Sequence, residues 1–172
     1  TASHSTYRPV AVYASDVNGD GITELPRAVL MAGYKDTSSS DAVYMLDWYA
    51  YGIGKVPAKV ATTYQNISDA WSLLIDQKWH DRITAIKAND GGLSYVEFFE
   101  YRKNKMSIPL FNIYCATGSN REYYAERTDL IQLGQTTQAI YFAKLTNEGE
   151  QSELALTGEE IKARFSLVNQ AW

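Results

Sequence analysis

Residues 83–116 read ITAIKANDGGLSYVEFFEYRKNKMSIPLFNIYCA, and this stretch predicts three successive β-strands. The strands are expected at 83–88, 93–101 and 110–116, where β-branched and aromatic residues are concentrated. Residues 89–92, NDGG, form a strong hairpin signal because Asn, Asp and Gly accept a positive φ. A second turn is expected at 103–105. Strands joined by such short turns pair antiparallel, so the centre of the chain predicts an antiparallel sheet.

Strand patterns continue on both sides of this stretch, at 8–15, 26–33, 42–51, 55–64, 71–75, 129–133 and 138–145. The segment 42–51, AVYMLDWYAY, is apolar at both odd and even positions, which predicts a strand that is covered on both faces. The polar segment 118–127 predicts a short helix or a loop. These patterns favour a fold dominated by strands.

A helix is expected near the end of the chain. Thr157 and Glu160 have the spacing of a capping box, in which each side chain binds the backbone N–H of the other residue. Ile161, Phe165 and Val168 follow at i, i+4 and i+7 and would form one apolar face. Such a face needs a partner, so we expect this helix to cover a sheet.

Composition narrows the class of protein. The 172 residues carry 16 Lys and Arg against 20 Asp and Glu, a net charge of −4, which disfavours a nucleic-acid-binding protein. No run of about 18 apolar residues is present, so no membrane-spanning segment is expected. One cysteine excludes an internal disulfide framework and a multi-cysteine zinc site. The 13 tyrosines favour strands and surfaces that contact sugars or proteins.

One segment carries a metal-binding pattern. Residues 16–24, DVNGDGITE, place oxygen-bearing side chains at relative positions 1, 3, 5 and 9, which are Asp16, Asn18, Asp20 and Glu24. Calcium takes about six to eight oxygen ligands, and Gly21 permits a sharp bend that lets the Ile22 carbonyl join them. We call this segment the acidic loop.

The surroundings of the acidic loop decide its type. A helix-loop-helix calcium site needs a Glu at position 12, where this chain has Arg27, and the flanks are strand-like. A strand-loop-strand site closed by Glu24 remains, with a weak affinity of about 10⁻⁴ to 10⁻³ M. Crowded carboxylates repel one another without a cation, which favours calcium. The alternative is an Asx/Gly turn that binds nothing.

The sequence DVNGDGITEL resembles the D-x-[DN]-G-D-G-x-x-[DE]-[LI] loop of FG-GAP/VCBS repeats, which form the blades of integrin-type propellers. The resemblance implies that residues 7–64 form a propeller-like blade. It also implies that Asp16, Asn18, Asp20, Glu24 and the Ile22 carbonyl bind Ca²⁺. A single blade cannot close a propeller. We therefore expect either the tail of a longer protein or strands that add to the next domain.

Residues from about 64 to the end are similar to a second family, the PsbP-like C-terminal module of secreted lipoproteins from Gram-positive gut bacteria. The motifs that carry this resemblance are YQN at 64–66, WSLLID at 71–76, Trp79 with DRIT at 81–84, VEFFEY at 96–101, PLFNIY at 109–114 and the closing LTGEEIKARFSLV. It implies an α/β sandwich and an exported protein. The lipidated cysteine of such a lipoprotein would lie upstream of Thr1.

Catalytic candidates are few. His80, Asp81 and Cys115 could serve a hydrolase, but a loop histidine and a buried cysteine are the commoner interpretations. Glu97 and Glu100 are expected on opposite faces of one strand, which argues against a glycosidase pair.

A stacking surface for a glycan or a protein could use Trp48, Tyr49, Tyr51, Tyr123 and Tyr124. We expect at least half of these rings in the core.

Together these features predict an α+β protein with mostly antiparallel sheet. A blade-like β segment with a calcium loop is expected over 1–64, and an α/β sandwich closed by a terminal helix over 65–172. The expected function is that of a non-enzymatic, calcium-stabilised bacterial module, exported or anchored at the cell surface, that binds a protein or a cell-wall glycan. The alternative is a hydrolase with a site near His80 and Asp81 or Cys115.

Overall fold

The computed structural model describes residues 9–34, 41–90, 93–119 and 121–168. Its strands are β1 (Leu25–Leu30), β2 (Tyr44–Ala50), β3 (Ala58–Asn66), β4 (Trp71–Leu74), β5 (Ile83–Asp90), β6 (Leu93–Arg102), β7 (Lys105–Thr117), β8 (Ile131–Gln135), β9 (Ala139–Leu145) and β10 (Phe165–Leu167). Its α-helices are α1 (Arg121–Ala125) and α2 (Gly158–Arg164), and 3₁₀ turns lie at Gln77–Trp79 and Gly149–Gln151.

The strands form two five-stranded sheets. The first sheet has the order β1-β2-β3-β4-β10 and the second has the order β5-β6-β7-β9-β8, with antiparallel pairing throughout. The prediction of a mostly antiparallel sheet with few helices is therefore confirmed.

The two central hairpins follow from local turn chemistry. Asp90 pairs with Leu93, so β5 and β6 are adjacent; Gly91 and Gly92 of the predicted turn lie outside the described residues. Between β6 and β7, Lys103 and Asn104 have φ values of 48° and 60°. Two successive positive φ values match the right-handed twist of the flanking strands, which makes a tight hairpin favourable.

The two sheets pack face to face around one apolar core. Tyr64 of β3 meets Phe98 of β6 edge to face, with ring centroids 5.4 Å apart. Phe98 stacks on Phe111 of β7 at 4.8 Å, and Tyr64 lies 5.4 Å from Trp71. Aromatic rings thus form a continuous bridge from one sheet to the other.

Strand β2 has buried residues on both sides. Met45 belongs to the core between the sheets, while its neighbours Leu46 and Trp48 are also almost fully buried. The indole N–H of Trp48 donates to the Thr63 hydroxyl at 2.9 Å. The prediction of a strand covered on both faces is confirmed.

The strand predicted over 8–15 is wrong for the described residues 9–14, which have no ladder. Only Ser15 pairs, in an isolated antiparallel bridge with Glu24. An alternating pattern predicts extended backbone, but a strand also needs a sheet edge to bind. Ala11, Tyr13 and Ala14 are exposed instead.

The C-terminal helix is shorter than predicted. The capping box is confirmed: the Thr157 hydroxyl accepts from the Glu160 N–H at 3.2 Å, and the Glu160 carboxylate accepts from the Thr157 N–H at 2.8 Å. The assignment of Phe165 and Val168 to the helical face is wrong, because the helix ends at Arg164. Phe165 turns into β10 and pairs with Leu73, since the free edge of β4 offers a ladder of hydrogen bonds.

The helix α2 is not the cover of the second sheet. It contacts β4, β8 and β9, and Ile161 is fully buried there. The rest of the inner face of the second sheet is covered by the first sheet. Seven residues span only about 10 Å, too little to shield a five-stranded sheet. The domain boundary predicted between residues 64 and 65 falls inside β3, and residues from both sides of it share the core.

The carboxylate of Glu100 is buried near one end of the second sheet, where β6 pairs with the first residue of β5. Glu100 of β6 has no exposed surface and accepts the Ser152 hydroxyl at 2.7 Å. The guanidinium groups of Arg102 and Arg82 also bind it. Burial raises the pKa of Glu100, but the hydrogen bonds from Ser152 and Arg102, together with the charges of Arg102 and Arg82, outweigh it and hold that pKa below its ordinary value. Buried and half-buried residues alternate along β6, which places Glu100 on the buried face and Glu97 on the opposite face, as the sequence predicted.

We expect Ile161→Ala to lower the free energy of unfolding by about 2 to 5 kcal/mol, because it leaves a cavity where α2 meets both sheets. Lys162→Ala, at the exposed neighbouring position, should change it by less than about 0.5 kcal/mol. Urea titrations of the wild type and both variants measure this. Equal losses in the two variants would contradict the position of α2.

We expect the stability contributed by ionised Glu100 to be present at neutral pH and to be lost as the pH falls through its lowered folded-state pKa. At neutral pH, Glu100→Gln should cost about 1.5 to 3 kcal/mol, the strength of hydrogen bonds to a charged group. The difference between wild type and variant should stay constant from neutral pH down to the ordinary glutamate range and should shrink as the pH falls below 4.5. Urea titrations across this range test the sign, and a difference that grows at low pH would refute it.

Candidate functional site

The acidic loop lies immediately before β1 and is closed at its base by the bridge between Ser15 and Glu24. Their backbone groups exchange two hydrogen bonds, at 3.1 and 2.9 Å. Residues 18–23 are exposed. The structure therefore presents the loop on the surface, on a short two-residue stem.

Asp16 organises the first half of the loop. Its carboxylate accepts the N–H of Gly19 at 2.7 Å, of Asp20 at 3.1 Å and of Gly21 at 2.8 Å. The Gly21 N–H is the largest of the causes that lower the pKa of Asp16. Gly21 has a φ of 83°, where a side chain would be strained, so glycine is what lets its N–H turn inward.

Asn18 and Asp20 form the second half. The Asn18 side chain accepts from the Asp20 N–H at 3.1 Å and donates to the Asp20 carboxylate at 3.0 Å. The other Asp20 oxygen accepts the Ile22 N–H at 2.8 Å. These short-range bonds hold the loop in its bend.

Glu24 differs from the other acidic residues of the loop, Asp16 and Asp20, because it is fully buried. One carboxylate oxygen, Oε2, accepts the Val17 N–H across the loop at 2.9 Å. The other, Oε1, is buried and has no hydrogen-bond partner in the part of the chain that the structure describes. A buried polar atom without a partner costs about 1 to 3 kcal/mol, and more for a charged group. A bound cation would remove that penalty.

The predicted ligands Asp16, Asn18, Asp20, Ile22 and Glu24 thus lie in one loop. The side-chain oxygens of Asp16 and Asp20 accept hydrogen bonds from within the loop. Within the described ranges, no three Asp, Glu, His or Cys side chains are grouped closely enough to hold a metal as they stand. Calcium binding would require these carboxylates to exchange N–H donors for the cation.

His80 and Asp81 lie on the surface beyond the Gln77–Trp79 turn. The His80 ring is 3.1 Å from the Asp81 carboxylate, and both side chains are substantially exposed. His80 lines an open cleft of about 800 Å³ with Lys59, Thr62, Asp76 and Arg164.

The charges of that cleft are already paired. Arg164 binds Asp76 at 2.6 Å, and Lys59 binds the buried Asp47 at 2.8 Å. Paired cations attract a further anion weakly, because each positive charge has a carboxylate beside it.

Cys115 is buried in the core, and burial is the main cause that raises its pKa to about 11. It pairs with Ser94 of β6, which pairs with Asn89 of β5, six residues along the strand from Ile83. Six residues of strand span about 20 Å. The thiol therefore lies near the opposite end of the second sheet from the segment that carries His80.

The candidate stacking residues do not form one surface. Trp48 is buried, and Tyr49 and Tyr124 are half-buried. Tyr51 follows β2 at the end of the first sheet, whereas Tyr123 lies on α1 outside the second sheet. Both of these rings are more than half exposed.

Comparison with known proteins finds no matching family model, no matching curated protein and no matching solved structure. The resemblances to FG-GAP/VCBS loops and to PsbP-like modules stay predictions. In the residues that the structure describes, no helix has the length and apolarity needed to cross a membrane.

We expect native Cys115 to react slowly with a disulfide reagent such as DTNB at pH 8, because the reactive thiolate is scarce and the thiol is buried. Denaturation should expose one rapidly reacting thiol. Absorbance at the thionitrobenzoate band follows both reactions. Rapid labelling of the folded protein would instead indicate an accessible, activated cysteine and would favour the hydrolase alternative.

Proposed function

We propose that this chain is a calcium-stabilised, non-enzymatic binding module of an exported or surface-anchored protein. The observation that carries the calcium proposal is the buried Glu24 carboxylate with one oxygen left without a partner. It lies in a loop whose other oxygens come from Asp16, Asn18 and Asp20. Carboxylate, amide and carbonyl oxygens are the hard ligands that Ca²⁺ requires, so the residues present fit the ion.

Calcium would act on the structure through the base of the loop. Glu24 is both the last residue of the loop and the residue that pairs with Ser15, just before β1 begins. A cation bound by Glu24 and Asp16 would tie the segment before the loop to the first sheet. Like-charge repulsion between the three carboxylates would fall at the same time. Calcium would thus stiffen the short stem formed by Ser15 and Glu24.

The environment in which such a site works follows from its affinity. We expect the loop to bind calcium at about 10⁻⁴ to 10⁻³ M, the range of extracellular calcium modules. This supports an extracellular or cell-surface location, in line with the exported proteins that the sequence resembles. A protein or a cell-wall glycan is the partner class that we propose.

The hydrolase alternative has less support from the geometry. A nucleophilic cysteine needs a base within hydrogen-bonding distance, and Cys115 and His80 lie near opposite ends of a sheet. Within the described ranges, the side-chain hydrogen bond of His80 is made to Asp81 alone. We therefore propose a binding role for this chain.

We expect about 10 mM calcium to stabilise the folded protein by about 1.4 to 2.7 kcal/mol relative to EGTA, for dissociation constants of about 10⁻³ to 10⁻⁴ M. Glu24→Gln keeps the side-chain volume and removes the charge, so it should abolish the calcium shift. Thermal melts and isothermal titration calorimetry measure the two effects.

Glu126→Gln is the matched control, because Glu126 is an exposed glutamate that follows α1 on the second sheet. It should leave the calcium shift unchanged. Absence of both a calcium-dependent change in the melting temperature and a binding heat in the wild type would refute the calcium proposal. The acidic loop would then be a turn that binds nothing.

A further inference from the structure

A small pocket opens on the outer face of the second sheet, opposite the core. Its lining consists of Leu93, Tyr114, Tyr124, Arg127, Leu130, Phe142 and Lys144, and its volume is about 170 Å³. The helix α1 and the segment after it form one wall, and β6, β7 and β9 form the floor. We call it the α1 pocket.

Ring contacts and one hydrogen bond orient the rings of the α1 pocket. Tyr114 packs against Tyr95 with centroids 5.3 Å apart, and its hydroxyl accepts the Asn112 amide at 2.9 Å. That bond leaves the Tyr114 hydroxyl hydrogen to donate elsewhere. Tyr124 meets Tyr123 edge to face at 5.5 Å. Aromatic walls that are already oriented lose little entropy when a ligand binds.

Two cations, Arg127 and Lys144, line the pocket and share one carboxylate partner, Asp129. Arg127 donates to Asp129 through two bonds of 2.9 and 2.6 Å, and Lys144 binds the same carboxylate at 3.2 Å. Hydrogen bonds from Arg127 and Lys144 hold the pKa of Asp129 well below its usual range, so it is ionised at neutral pH. The charged rim of the pocket therefore consists of two donors, Arg127 and Lys144, whose positions are held by Asp129.

This combination discriminates between ligands. A ligand carboxylate would compete with Asp129 for the same two cations. A purely apolar group would leave the charged rim without new bonds and partly desolvated. A ring with an apolar face and hydroxyl groups at its edge satisfies both parts, because its hydroxyl oxygens can accept from Arg127 or Lys144 while the apolar face meets the aromatic rings.

We propose that the α1 pocket binds one neutral pyranose ring of a glycan. The C–H face of the ring lies against Tyr124 and Tyr114, whose ring faces are electron-rich, and its hydroxyls meet the charged rim. The volume of about 170 Å³ is below the roughly 300 to 1,000 Å³ of sites for drug-sized ligands, which suits a single ring. The inference rests on the proposed binding function and specifies its ligand class and place.

Saturation-transfer NMR with methyl β-D-glucopyranoside and N,N′-diacetylchitobiose as probes tests the site. We expect saturation of the sugar ring protons in the wild type. Tyr124→Ala should weaken binding about tenfold or more, because the stacking face is lost, whereas Tyr124→Phe should retain it. Tyr51→Ala is the matched control, an exposed tyrosine on the other sheet, and should bind like the wild type.

Absence of saturation transfer to either sugar overturns the proposal. Binding that survives Tyr124→Ala, or that Tyr51→Ala removes, also overturns it by placing the sugar elsewhere, while a binding module would remain. N-acetyltyrosine amide serves as a probe for a peptide side chain. Tighter binding of that probe, lost in Tyr124→Ala, would reassign the pocket to a protein partner. A calcium titration of Tyr124→Ala tests the acidic loop independently of the pocket. A normal calcium shift in this variant, together with loss of sugar binding, assigns the loss to the pocket alone.

Discussion

The edge-to-face contact between Tyr64 and Phe98 joins two sheets that each have an apolar face, and the remaining structure is arranged around that junction. Neither face can stay in water, because each exposes several large side chains whose burial drives folding. The inner faces therefore cover each other. Among the described residues, α2 lies at one edge of this packing, α1 covers part of an outer face of the second sheet, and the acidic loop lies outside the core.

The two proposed sites lie on different parts of this framework. The acidic loop precedes β1, the edge strand of the first sheet, whereas the α1 pocket lies on the outer face of the second. A calcium ion at the loop would stiffen the approach to the first sheet and would touch none of the pocket residues. Calcium binding and sugar binding are therefore separable properties of one fold, since sites with no shared contacts act nearly independently.

Local sequence signals predicted local structure well. The hairpin at 103–105 and the capping box of Thr157 and Glu160 depend on residues close in the chain, and both form as expected. The assignment of Asp16, Asn18, Asp20, Ile22 and Glu24 as calcium ligands, also made from local spacing, stays a prediction. The signals failed where the structure depends on pairing between strands. Residues 9–14 form no ladder, and Phe165 pairs with β4 instead of continuing the helix.

The sequence by itself determined most of the strands, the turn between β6 and β7 and the cap of α2, because those properties follow from backbone preferences and short spacing. Only the tertiary structure decided that Glu24 is buried with an unpartnered oxygen and that Glu100 is enclosed by Ser152 and Arg102. It alone brought Tyr114, Tyr124 and Lys144 to one pocket. Those residues are distant in the chain, and their meeting depends on the pairing of β6, β7 and β9, which no local pattern specifies.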